Sequence, residues 1–344
     1  MNFPEISERI RAAHGPLVIR AGGSKDWYGE AVSGAVLDVS AHRGIVSYEP
    51  GELVLTAKCG TPLAEIEALL DAHGQMLGFE PPRFGAASTL GGTLACGFSG
   101  PRRPYAGSAR DFVLGVDILD GGGQHLKFGG QVIKNVAGYD VSRLMVGALG
   151  TLGVLLQASL KVLPRPQAEL TLQFECDEAE AIRRANEWAG QPLPLSATAW
   201  LSGLLSVRLS GAHSAVAAAH RKLGGEINEH GGEFWAGVRD HGAAFFRDGA
   251  PLWRLSLPSA TPPLELAGRQ LITWGGAERW LKSDAAAAEI RARAAAHGGH
   301  ATLYAGDKRG GVFQPLPEAL LKYQRRLKQQ FDPRGILNPG KMYP

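Results

Sequence analysis

Apolar positions in the first half of the chain fall in short runs separated by glycine. Ile6 and Ile10, four residues apart among charged neighbours, predict a short helix within 1–13. Leu17-Val18-Ile19 predicts a buried strand over 16–20, ended by Ala21-Gly22-Gly23-Ser24. Val36-Leu37-Asp38-Val39 and Leu53-Val54-Leu55-Thr56-Ala57 predict further strands. Leu63, Ile66, Leu69 and Leu70 share one helical face, with Thr61 as N-cap, Pro62 at the first helical position and Gly74 past the end. Ser88 to Ala95 predicts a short helix entered through Ser88, and 96–110 a long polar loop. Phe112 to Leu119 and His125 to Phe128 flank Gly121-Gly122-Gly123, a hairpin signal. A strand from Leu152 to Leu163 closes at Pro164-Arg165-Pro166, the best domain boundary in the sequence.

Beyond that boundary strands and helices mix differently. Strands are predicted at Leu170 to Phe174, Thr198 to Leu201, Leu205 to Leu209, Leu252 to Leu257 and Arg269 to Trp274. Helices are predicted at Asp177 to Ala189, Ala215 to Leu223 and Asp284 to His297. This is an α+β layer pattern. A basic helix, Pro317 to Gln330, leads into the tail Phe331-Asp332-Pro333 to Asn338-Pro339-Gly340-Lys341.

Composition narrows the classes. The 344 residues are 44% hydrophobic and 20% charged, so wholesale disorder is excluded. A net charge of +3 is too small for a protein that lives by binding nucleic acid. The longest nearly apolar run, Leu144 to Leu156, has 13 residues, against the roughly 20 of a transmembrane helix. Met1 to Arg11 carries Glu5, Glu8, Arg9 and Arg11 and no apolar leader. Cys59, Cys96 and Cys176 form no CxxC pair or disulfide framework, so a reducing cytoplasm is the expected compartment.

Glycine is in excess: 46 residues, 26 of them within 1–166. Neither a GxGxxG fingerprint nor a Walker A motif is present. Arg20-Ala21-Gly22-Gly23-Ser24-Lys25 instead offers a turn whose successive N–H groups could cradle an anion, with two cations beside it. Taken alone, it also fits an ordinary β-turn. Ser88 to Gly97 puts Gly91 and Gly92 in a helix start, where free N–H groups make a second anion site; tight helix-on-sheet packing is the other reading. Gly147, Gly150 and Gly153 lead into a strand and let backbone approach a flat ligand or a close neighbour. Lys134-Asn135-Val136-Ala137-Gly138-Tyr139-Asp140 is a polar segment after the hairpin.

Five of these pieces, in register, resemble the FAD-binding domain shared by vanillyl-alcohol oxidase, p-cresol methylhydroxylase and bacterial D-lactate and glycolate dehydrogenases. They are Arg20-Ala21-Gly22-Gly23-Ser24, Thr89-Leu90-Gly91-Gly92, Arg110 to Gly115, Gly150-Thr151-Leu152-Gly153 and the tail from Phe331 to Lys341. Within that superfamily, the segment Lys134 to Asp140 and the short second half resemble the FAD-binding E-subunit family of glycolate oxidases. The resemblance implies an α+β protein with a two-subdomain FAD-binding domain of the p-cresol methylhydroxylase type (1–166), a smaller α+β cap (167–330), and a segment, 331–344, that returns to the first domain.

It also implies roles. Arg20, Ala21, Gly22, Gly23 and Ser24 would hold the FAD pyrophosphate. Ser88, Thr89, Leu90, Gly91, Gly92 and Ala95 would face the pyrophosphate and ribityl chain. Gly150, Gly153 and Val154 would lie against the ring systems, and the tail, with Lys341, would cover the flavin. Where some relatives carry a flavin-linked His, this chain has Ser24, so non-covalent FAD is expected unless Cys96 serves. The implied partners are a larger FAD-containing catalytic subunit, an iron–sulfur subunit and a small 2-hydroxy acid, in the cytoplasm or at the inner membrane through those partners.

The cap shows no paired-His metal cluster; His297 and His300 are close in sequence but read as turn residues. Its arginines, Arg208, Arg239, Arg247, Arg254 and Arg309, are candidate carboxylate anchors, and no catalytic base stands out. Six tryptophans of this half (Trp188, Trp200, Trp235, Trp253, Trp274 and Trp280) suit a domain core or an interface core. Three readings stay open: a glycolate-oxidising subunit inactive alone, a catalytically silent flavin-binding subunit, and a free-standing flavin alcohol dehydrogenase.

Overall fold

The protein is described by a computed structural model covering residues 3–130 and 140–343. Lys134 to Tyr139 of the polar segment singled out above lie outside the described residues. Contacts divide the chain into two compact units. One comprises Met1–Ser99, Gly107–Arg165 and Pro315–Pro344; the other comprises Gly100–Ala106 and Pro166–Gln314.

The first unit is built on a five-stranded antiparallel sheet in the order Ile45–Glu49, Val54–Lys58, Val154–Lys161, Val113–Leu119, His125–Gly129. The two inner strands Val54–Lys58 and Val113–Leu119 flank the long strand Val154–Lys161, and Leu55, Ala57, Val116, Ile118, Ala158 and Leu160 are buried along it. A separate parallel pair joins Leu17–Arg20 to Ala35–Asp38. The helix Phe3–Ala12 packs Ile6 and Ile10 into one cluster with Leu17, Leu37, Leu119, Val154, Leu156, Ile336 and Leu337.

The tail closes this cluster. Leu17 N donates to Ile336 O at 2.7 Å and Asn338 N to Leu17 O at 3.0 Å. The basic helix Glu318–Phe331 joins the same unit. Lys328 Nζ, near its end, donates to Asp332 Oδ2 and Leu337 O at 2.6 Å and to Thr151 O at 2.8 Å. The first unit takes up the chain again at Pro315, where the boundary was expected at 330.

Local chemistry shifts two helix starts by one residue. The helix expected to open at Pro62 runs Leu63–Asp71 with Pro62 in the cap position. Thr61 is not its cap, because its hydroxyl donates to Lys58 O at 2.7 Å and accepts from Gly44 N at 2.8 Å. The next helix, Leu90–Cys96, is capped by Thr89 through Gly92 N, not by Ser88.

The second unit is an eight-stranded antiparallel sheet. Its order is Glu226–Ile227, Ala168–Glu175, Leu204–Gly211, Leu195–Leu201, Arg269–Thr273, Glu278–Lys282, Leu252–Ser256, His300–Ala305. Helices Glu178–Ala189, His213–Leu223, Gly231–Arg239 and Ala287–Ala296 accompany it. Gly100–Ala106, taken above as part of a polar loop, belongs to this unit and forms a helical turn at Arg103–Ala106. There Arg102 pairs with Glu169 at 2.5 Å and Arg103 lies over the Trp274 ring at 4.2 Å.

Trp235, Trp253, Trp274 and Trp280 are buried, and Trp188 and Trp200 pack against an apolar cluster. Four of the six are therefore core, and the other two are half-buried beside it. The strand Glu278–Lys282 was invisible in the sequence because three of its five residues are charged, yet all five are buried. Glu278 bonds Arg254 at 2.6 Å, Lys282 Nζ reaches Asp248 O at 2.7 Å, and Arg279 donates to the carbonyls of Thr261 and Pro262. Burial of such groups is tolerated only with partners of this kind.

Candidate functional site

The first unit contains a cavity of about 390 Å³. Ligand pockets usually measure roughly 300–1,000 Å³. The strand Leu17–Arg20 delivers the chain into a tight turn at its rim, and Arg20, Ala21, Gly22, Gly23, Ser24 and Lys25 all line it. Thr89, Gly91, Gly92, Ala95 and Cys96 line a second wall, Gly150 and Gly153 a third, and Asn338 and Lys341 of the tail a fourth. Residues from 20 to 341 thus meet around one space.

Why glycine occupies these walls is visible atom by atom. A Cβ on Gly22 would fall 1.5 Å from Ala87 O. Gly23 has φ +72°, a conformation L side chains rarely adopt. A Cβ on Gly91 would sit 2.8 Å from Cys59 Cβ. One on Gly150, at φ +71°, would meet Asn338 Nδ2 at 2.9 Å.

The two expected anion sites part company. At the turn, the N–H groups of Ala21 through Lys25 have no acceptor among the described residues. A run of buried or half-buried donors without acceptors calls for a ligand with several anionic oxygens. At the helix Leu90–Cys96, the first N–H groups are already used. Leu90 N donates to Thr61 O at 2.9 Å, Gly91 N to Cys59 O at 2.7 Å and Gly92 N to Thr89 Oγ1 at 3.3 Å. The expectation of free donors there is corrected: this wall offers small backbone surface, not anion-binding N–H groups.

Of the fifteen residues named from the sequence, twelve line the cavity. Ser88, Leu90 and Val154 do not. Leu90 and Val154 are buried in the core, and Ser88, also buried, is held by Lys25 Nζ at 2.5 Å. Lys25 and Asn338 were missing from that set. The sequence offers Lys25 only as one of two cations beside the anion turn, and Asn338 as one polar residue of a proline-rich tail. Only the fold shows Lys25 to be buried, its pKa pulled down to about 8 by desolvation.

Among the described residues the charged ones lining the cavity are Arg20, Lys25, Lys341 and Asp26. Arg20 Nε pairs with Asp26 Oδ2 at 2.6 Å. Burial pushes the Cys96 thiol up to about 12, so it is a neutral thiol at neutral pH.

In the second unit, the candidate anchors have partners: Arg254 with Glu278, Arg239 with Asp240, Arg309 with Asp307, Arg247 with the Gly242 carbonyl, and Arg208 with the Ser196 hydroxyl. His297 caps the helix Ala287–Ala296 and His300 opens the strand His300–Ala305. Among the described residues no group of three or more His, Cys, Asp or Glu is placed to hold a metal ion.

Comparison with known proteins agrees with this picture. Residues 4–129 match the family model described as FAD binding domain, and 274–342 the one described as FAD linked oxidases, C-terminal domain. The chain is 53% identical over 329 residues to "Glycolate oxidase subunit GlcE" of Escherichia coli (strain K12), covering 95% of this chain and 93% of that one. It is 30% identical over 159 residues to "Glycolate oxidase subunit GlcD" of Bacillus subtilis (strain 168), covering 46% of this chain and 34% of that one. Among solved structures, an alkyldihydroxyacetonephosphate synthase superposes with a TM-score of 0.67 at 16% identity, over 98% of this chain and 74% of that one, which speaks for the fold alone.

Proposed function

The chain belongs to the glycolate oxidase GlcE-subunit family of FAD-linked oxidases, and from that premise we propose that it takes part in oxidising glycolate to glyoxylate, with electrons leaving its flavin toward an iron–sulfur partner. It is an FAD-dependent oxidoreductase subunit of a complex. The observation that supports a direct cofactor role for this chain is the turn Ala21–Lys25, whose N–H groups have no acceptor among the described residues and which lines a cavity walled by glycine.

In this reading the turn binds the FAD diphosphate. Gly91, Gly92, Gly150 and Gly153 let backbone lie close to the rest of the molecule, and Asn338 and Lys341 complete the enclosure. When bound, the flavin supplies the two-electron acceptor of the reaction. FAD is held non-covalently: Ser24 cannot form the link that a histidine can, and a thiol as hard to ionise as that of Cys96 is a poor nucleophile.

The partners are a larger FAD-containing subunit and an iron–sulfur subunit. Three cysteines are too few to ligate a Cys₄ cluster within this chain. No helix among the described residues is long and apolar enough to cross a membrane; in this reading inner-membrane association runs through those partners.

Anaerobic mixing with glycolate tests the division of labour. The isolated, flavin-loaded chain is expected to keep its flavin oxidised, and the reconstituted complex to bleach. Bleaching of the isolated chain at the turnover rate of the complex would assign the chemistry to this subunit.

A further inference from the structure

Lys25 is 7% exposed, and among the described residues its ammonium is held by neutral groups. Nζ donates to Ser88 Oγ at 2.5 Å and to Ser24 Oγ at 3.3 Å, and it lies 5.8 Å from the centre of the Phe84 ring. Among the described residues it makes no ion pair with a carboxylate. The carboxylate of its own turn, Asp26, is engaged by Arg20. From the helix Leu90–Cys96 it is faced by Cys96, a neutral thiol. From the tail, Lys341 lines the same cavity and adds positive charge. A buried ammonium without a counter-charge is costly, and an anion received beside it offsets that cost.

We propose that Lys25 is the counter-charge of the bound cofactor's diphosphate, poised by Ser24 and Ser88, and that it couples cofactor binding to a proton. The proposal rests on the FAD reading above. The N–H groups of the turn supply hydrogen bonds but no full charge, and Arg20 is occupied by Asp26. Among the described residues, Lys25 alone joins a full positive charge, burial and a place in the cavity wall next to those N–H groups.

The proton coupling follows from the surroundings. Desolvation holds the pKa of Lys25 at about 8 without ligand, and a nearby diphosphate raises it. The cofactor therefore binds best to the protonated form. Its affinity falls as pH rises above about 8, by at most about tenfold per pH unit for one proton, until the pKa of the complex is passed.

The test titrates the cofactor-free chain with FAD, ADP and riboflavin between pH 7 and 9.5, in the native protein, Lys25→Met and Ser88→Ala. Lys25→Met is expected to weaken FAD and ADP at least tenfold at pH 7 and riboflavin less than twofold. The native Kd for FAD and ADP is expected to rise from pH 8 to 9.5, with a flat profile in Lys25→Met. Ser88→Ala is expected to fall between the two. If native protein binds FAD and Lys25→Met matches it within twofold, or if riboflavin weakens equally, the proposal is overturned while the FAD reading stands. Should Lys25→Met fail to fold, the native pH profile decides alone: a flat one overturns the proposal, a rising Kd for ADP supports it. Native protein that binds no FAD at pH 7 overturns the underlying reading instead.

Discussion

Asn338 Nδ2 donates to the carbonyl of Leu149 at 2.7 Å, joining residues 189 apart in sequence. The same amide accepts from Ile19 N at 2.9 Å through Oδ1, so one side chain ties the strand before the Gly turn to the loop carrying Gly150. Asn338 holds φ +42°, and asparagine is among the few residues that accept such a backbone. It is the clamp on which the cavity's fourth wall depends.

Asn338→Ala is therefore expected to leave one buried and one half-buried backbone group without partners and to strain the chain. The expected cost is about 2–4 kcal/mol of stability, since each unsatisfied buried group costs roughly 1–3 kcal/mol. Chemical denaturation of the cofactor-free chain measures it, and flavin retention should fall in parallel. A variant as stable as the native protein would remove the clamp role.

Gly22→Ala tests the close approach at the turn. The added Cβ would fall on Ala87 O, a backbone atom that cannot swing aside. Overpacking of this kind costs about 1–3 kcal/mol, and the displaced turn should lose FAD. Gly51→Ala, where a Cβ meets nothing within 4 Å and φ is ordinary, is the matched control, expected near neutral. Equal melting points and equal flavin content for the two would show that the turn tolerates a side chain.

His241 is expected to make the second unit sensitive to acid. It stacks on Phe246 with ring centres 4.2 Å apart and meets Trp280 at 4.6 Å. Burial, with Arg254 nearby, lowers its pKa to about 3. The unfolded chain keeps the ordinary 6.5, so between about 3 and 6.5 the unfolded state binds the extra proton. Stability is full above 6.5 and declines as pH falls, by at most about 1.4 kcal/mol per pH unit from this residue. His241→Asn, which suits the φ of +56° there, should lower stability at pH 7 but flatten its slope between pH 6.5 and 4. Hydrogen exchange of the strands Leu252–Ser256 and Glu278–Lys282 reads this out. An unchanged slope would assign the acid sensitivity to other groups.

The fold was legible where hydrophobic period and punctuation agreed. Ile6 and Ile10, Leu63 with Ile66 and Leu70, and the hairpin around Gly121-Gly122-Gly123 all lie in the expected elements. It was not legible where charge is buried. Glu278, Arg279 and Lys282 read as surface residues, yet sit in a central strand because their partners come from distant residues such as Asp248, Arg254 and Thr261. The cavity divides the same way. Glycines at Gly22, Gly23, Gly91, Gly92 and Gly150 announce close backbone approach, and the fold gathers them. Which N–H groups remain available, and that Lys25 turns inward while Leu90 and Val154 turn to the core, depends on hydrogen bonds across tens of residues. No local spacing encodes those.

The flavin content of the chain purified alone, after refolding with excess FAD and gel filtration, is the most direct measurement. The absorbance spectrum counts the cofactor, and acid precipitation then separates held flavin from linked flavin. A stoichiometry near one FAD per chain, all of it released into the acid supernatant, is predicted. A folded, colourless chain would contradict the cavity's assignment as the FAD site, and flavin remaining with the precipitate would contradict non-covalent binding.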